Sequence, residues 1–74
     1  MTKLSQSERE ILGQALRKAR GDMNQKEVAA PLGTNASYIS NIENGHRVPS
    51  IDMLSSLADI YETSVTKILK EAKL

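Results

Sequence analysis

Apolar residues recur along this chain at the three- and four-residue spacing of amphipathic helices, and no stretch alternates as a strand would. Leu12, Ala15, Leu16 and Ala19 make one stripe, which predicts a first helix from about Ser7 to Arg20. Ser5 and Ser7 are each followed three residues on by a glutamate, Glu8 and Glu10, so either pair can form a capping box, and Gly21 ends the helix. A second helix starts at Gln25 behind Asn24 as its N-cap. Glu27 is placed to reach back to the cap, and Met23 and Val28 have the spacing of a hydrophobic staple. Val28, Ala29 and Leu32 face inward, and Gly33 supplies a left-handed stop.

The third helix, Ala36 to Asn44, is capped by Asn35, points Ile39 and Ile42 inward and is closed by Gly45. After the loop His46-Arg47-Val48-Pro49, a fourth helix begins behind Ser50, with Ile51, Leu54, Leu57 and Ala58 inward and Met53 and Ile60 flanking. A fifth begins behind Ser64. Its stripe of Val65, Ile68, Leu69 and Ala72 either closes the core or makes a two-fold interface, while Lys67, Lys70 and Lys73 form a solvated face. The expected fold is all-α, a five-helix bundle in a single domain spanning residues 1–74. It divides into an N-terminal arm (1–6), a helix-turn-helix core (24–45) and a C-terminal helix (65–74) available for a dimer contact.

Composition narrows the function classes. The 74 residues contain no cysteine, which excludes a disulfide framework and a cysteine-based zinc site. No apolar run approaches the roughly 18 residues of a membrane span. The opening "MTKLSQSERE" lacks the apolar stretch of a signal peptide, so a soluble cytoplasmic protein without a membrane partner is expected. His46 is the only histidine, and no nucleophile and base are tied together by motif. No metal, cofactor or enzymatic activity is expected. The net charge of +1 is too small to announce a nucleic-acid partner. The middle of the chain is richer in bases (Arg17, Lys18, Arg20, Lys26, Arg47) than in acids (Asp22, Glu27, Glu43).

The informative feature is the outward face of the third helix. At about 100° per residue, Ala36, Ser37, Ser40, Asn41 and Asn44 cluster opposite Ile39 and Ile42. Solvated helix faces usually carry Lys and Glu; this one is small, polar and uncharged, although Ser and Asn are poor helix formers. A helix entering the DNA major groove must be slim, because that groove is about 12 Å wide; Asn can bond an adenine edge in two places, and Ser can donate or accept. The strip therefore has the character of a surface that lies against base edges. Soluble filler is the plainer alternative.

The segment "NQKEVAAPLGTNASYISNIENGHRVPS", with "LGQALRKAR" before it and "LSSLADIYETSVTKIL" after it, resembles the lambda-repressor-like (Cro/XRE-type) helix-turn-helix DNA-binding family of phage repressors, bacterial regulators and some antitoxins. The matching elements are Gln25, Val28-Ala29, Leu32-Gly33, Ile39-Ser40, Ile42-Glu43, Gly45 and Pro49-Ser50, and the likeness extends from about Leu12 to Leu69. The resemblance implies a sequence-specific regulator of transcription, a repressor, bound to a double-stranded operator. Base readout would fall to Ala36, Ser37, Ser40 and Asn41. Phosphate contacts would come from Gln25, Lys26, Tyr38, Asn44, His46 and Arg47, with a structural ion pair between Glu43 and Arg17. Tyr38 can also pack its ring while presenting its hydroxyl.

Two copies would read an inverted repeat through a homodimer made by helix 65–74. Departures from the family pattern are Pro31, which should bend or tighten the second helix, and an extra residue near Asp22 in "RGDMNQ". The same fold also serves antitoxins, which bind a toxin, and restriction–modification controllers; other protein partners include antirepressors. Loss of the groove-binding role would leave a protein-interaction module.

Overall fold

Five helices follow one another in a computed structural model that describes residues 3–74: α1 (Gln6–Arg20), α2 (Gln25–Ala29), α3 (Ala36–Glu43), α4 (Ile51–Ile60) and α5 (Val65–Glu71). Each begins where a short polar side chain replaces a missing helical partner. Ser5 Oγ accepts from the Glu8 amide at 3.1 Å, and the Glu8 carboxylate accepts from the Ser5 amide at 2.8 Å. Asn24 and Glu27 make the same reciprocal pair at 2.7 and 3.3 Å. Asn35, Ser50 and Ser64 cap α3, α4 and α5 singly. Caps of this kind each contribute about 1 kcal/mol.

The choice of Ser5 over Ser7 shortens the expected arm. Leu4 packs on the core, Ser5 is the cap and Gln6 opens α1, donating from its side chain to the Gly45 carbonyl at 3.3 Å. Met1 and Thr2, the start of that arm, lie outside the described residues.

Pro31 acts as its chemistry requires. It has no N–H to donate and its ring crowds the carbonyl four residues back, so α2 gives way to a single 3-10 turn over Ala30–Leu32. Gly33, at φ +68°, then reverses the chain, and the Thr34 amide donates to the Ala29 carbonyl at 3.2 Å. The tightened turn leaves α3 anchored by Ile39 and Ile42, both buried in the core cluster that includes Leu12, Leu16, Val28 and Leu57.

Ile51 departs from expectation: it is 71% exposed. Helical side chains lean toward the N-terminus, so an apolar residue in the first position projects past the helix end, with no preceding turn to cover. Leu54, Leu57 and Ala58 are the buried residues of the inward face, with Met53 and Ile60 packed partly buried beside them. The α5 stripe closes the core through Ile68 and Ala72; Val65 and Leu69 remain half-buried. The helix stops at Glu71, short of residue 74, where Lys73 takes a left-handed φ of 58°. Among the described residues no helix is long and apolar enough to cross a membrane.

Candidate nucleic-acid interface

α3 is positioned from behind by two devices. The first is a close crossing with α1 at Gly13. A Cβ there would lie 2.6 Å from the Ile42 carbonyl oxygen and closer still to that of Glu43, so only glycine lets the two backbones meet. The second is a buried polar cluster on Glu43, which is 6% exposed. Arg20 grips its carboxylate at two points, Nε to Oε2 at 2.6 Å and Nη2 to Oε1 at 3.0 Å, while Nη1 donates to the Met23 carbonyl at 2.7 Å. Gln25 Nε2 adds a third donor to the carboxylate at 3.0 Å. Three elements, α1, α2 and α3, are thereby locked in one orientation.

The expected partner of Glu43 was Arg17, and this is corrected to Arg20. Arg20 sits in the last turn of α1, where the chain doubles back through Met23 to α2, so one guanidinium reaches both the carboxylate and that carbonyl. Arg17, one turn earlier, is exposed. Arg20 and Gly13 are the two positioning residues that sequence reasoning missed. An unforced glycine in the middle of a strongly periodic helix was the available signal for Gly13.

Tyr61 lies close enough to feel this cluster. Its hydroxyl is pushed up to about 12, first by burial and then by the Glu43 carboxylate, with Arg20 opposing. The fold therefore holds the neutral phenol, whose value in the unfolded chain is about 10. That contribution is intact below pH ~10 and is lost as pH rises toward ~12, because the unfolded chain releases its proton first. Denaturant titrations should show Tyr61→Phe losing less stability than the parent protein over this interval; parallel curves would refute the assignment.

The outward side of α3 is as the wheel predicts. Ser37, Asn41 and Asn44 are exposed, and Ala36 and Ser40 are half-buried at the margins. Asn44 Nδ2 donates to Ser40 Oγ at 3.2 Å, which ties these two together and leaves Ser37 and Asn41 as the protruding polar pair. The helix ends in paired bonds from the Gly45 amide to Ile42 (3.2 Å) and from the His46 amide to Asn41 (2.9 Å), with Gly45 at φ +78°. This double closure turns the chain away and leaves His46 and Arg47 exposed beside the C-terminal end of α3. The Arg47 guanidinium lies over the half-buried Tyr38 ring, 5.2 Å from its centroid. Lys26 is exposed on α2. Gln25 is half-buried and has already committed one amide hydrogen to Glu43, leaving its second hydrogen and its oxygen for another partner.

Two crystal structures of the clp gene regulator ClgR from Corynebacterium glutamicum are similar to this chain. One has a TM-score of 0.82 at 32% identity, covering 97% of this chain and 92% of that one. The other has a TM-score of 0.83 at 34% identity, covering 89% and 72%. No curated protein gives a significant match. A family model described as helix-turn-helix, of the Cro/C1 type, matches residues 14–68, most of the chain, and the chain belongs to that helix-turn-helix family.

Proposed function

We propose that this protein is a DNA-binding transcriptional regulator that lays α3 in the major groove of an operator and represses the gene it occupies. The observation that carries this reading is the protruding, uncharged strip of α3, held from behind by the Gly13 crossing and the Glu43 cluster. Ser37 and Asn41 read base edges, with Ala36 and Ser40 permitting close approach. Gln25, Lys26, Tyr38, Asn44, His46 and Arg47 hold the phosphates. Arg47 can stack on Tyr38 and still present guanidinium hydrogens to a phosphate oxygen. Family membership supports the DNA-binding role, and the name of the similar ClgR structures supports regulation of transcription.

A single domain with only a few phosphate contacts binds weakly and with strong salt dependence. Two copies reading an inverted repeat, with half-sites about 34 Å apart, would overcome this. With Ile68 and Ala72 used in the core, a two-fold contact through residues 65–74 draws on Val65, Leu69 and Leu74.

Asn41→Ala should lose about 1–3 kcal/mol of discrimination at one base pair while retaining affinity for mixed-sequence DNA. Equal losses on every operator variant would remove Asn41 from base readout. Arg47→Ala should weaken all sequences alike and reduce the salt slope by about one. A sequence-selective loss would contradict the phosphate role.

A further inference from the structure

A groove of about 500 Å³ runs between α1 and α5. Ala15, Ala19, Tyr61 and Ile68 line it, and Lys67 and Lys70 stand on its α5 side. The Lys18–Glu71 ion pair, 2.6 Å long, links its two walls. Among the described residues Lys67 and Lys70 form no ion pair, so the groove offers an apolar floor with two uncompensated ammonium groups. On the α1 wheel Ala15 lies about 160° and Ala19 about 120° from Gly13, the residue that meets α3, so the groove is on a different side of α1 from the α3 crossing.

The complementary surface is on the same chain. Residues 51–62 contain three acids, Asp52, Asp59 and Glu62, and no base. At about 100° per residue, Ile51, Asp52, Ser55 and Asp59 fall on one face of α4. All four are exposed, and Ile51 is the most exposed large apolar side chain described. An acidic helix face with one apolar anchor is what an apolar groove edged by lysines accepts.

We propose that the acidic face of α4 on one copy docks into the α1–α5 groove of the next, with Ile51 as the apolar anchor. The contact is head-to-tail: it uses two different patches, so each copy keeps one of each and further copies add in a row. Groove-to-groove pairing is disfavoured, because it sets lysines against lysines. One helix face buries less than a standard interface, so the contact is weak in dilute solution and becomes effective when neighbouring copies are held side by side.

The test is sedimentation velocity of the full chain up to millimolar concentration, without DNA, so its failure leaves the reading of α3 as the DNA-contacting helix untouched. The wild type should self-associate and lose association as salt rises. Lys67→Glu with Lys70→Glu, and separately Asp52→Lys with Asp59→Lys, should each weaken association about tenfold or more. An equimolar mixture of the two should restore it, since each supplies the face the other needs. Ile51→Ser should weaken it with no change of charge. Circular dichroism confirms that every variant is folded. A wild type that stays monomeric, a dimer indifferent to both charge sets, or a mixture that fails to recover would each overturn the proposal.

Discussion

Glu43→Ala is expected to be the most destabilising single substitution in the polar cluster behind α3. The carboxylate is 6% exposed and is the common acceptor for Arg20 and Gln25. Removing it leaves a guanidinium, itself largely covered, without its counter-charge. Breaking one side of a buried pair costs about 3–5 kcal/mol, against a total stability of about 5–15 kcal/mol for a domain. At about 4–8 °C per kcal/mol in a chain of this size, the melting temperature should fall by at least ~12 °C.

The alternative sources of such an effect can be separated. Arg20→Met combined with Glu43→Leu removes both charges and should recover most of the loss, because an apolar pair of similar volume often substitutes for a buried ion pair. Arg17→Ala should change stability by less than about 0.5 kcal/mol, as exposed positions usually do. If Arg17→Ala proved as damaging as Arg20→Ala, the reassignment of the pair would be wrong.

Gly13→Ala comes second and sets two effects of opposite sign against each other. In an isolated helix the substitution stabilises by about 1 kcal/mol. Here the new methyl group meets the carbonyl oxygens of Ile42 and Glu43, which are backbone and cannot rotate away. Overpacking of that kind costs about 1–3 kcal/mol and sometimes more. The contacts are to backbone, which places the steric cost toward the upper end, so it should win, with a net loss of up to about 2 kcal/mol by thermal denaturation. Relief of the clash requires α3 to move off α1, so amide shifts should spread along Ala36–Glu43 and operator affinity should drop further than stability alone accounts for. A stabilised Gly13→Ala variant would mean that the crossing is looser than described.

What was legible in the sequence was local. Capping pairs such as Asn24 with Glu27 operate over three residues, and Gly33, Gly45 and Pro31 act on their own turns, so their consequences follow from chemistry that needs no tertiary information. Inward stripes on α1, α3 and α5 were also readable, because periodicity and burial coincide in the middle of a helix. Reading failed where the answer depended on where distant segments meet. Whether Arg17 or Arg20 reaches Glu43 is decided by the path of residues 21–24, which spacing along α1 does not encode. Ile51 matches the apolar period, yet it lies where the helix has not begun to cover anything. Gly13 matters only because another backbone passes over it. The face of α3 was legible as a surface, since outwardness follows from the wheel; which atoms of Ser37 and Asn41 meet which bases is a property of the complex.

The most direct test of the central claim is selection of duplexes from a random pool by the purified protein, repeated with the Ser37→Ala/Asn41→Ala variant. The wild type should enrich one short motif, arranged as an inverted repeat, while the variant keeps its affinity for mixed-sequence DNA and loses the motif. An unenriched pool, or the same motif recovered by both proteins, would contradict the reading of α3 as the element that recognises sequence.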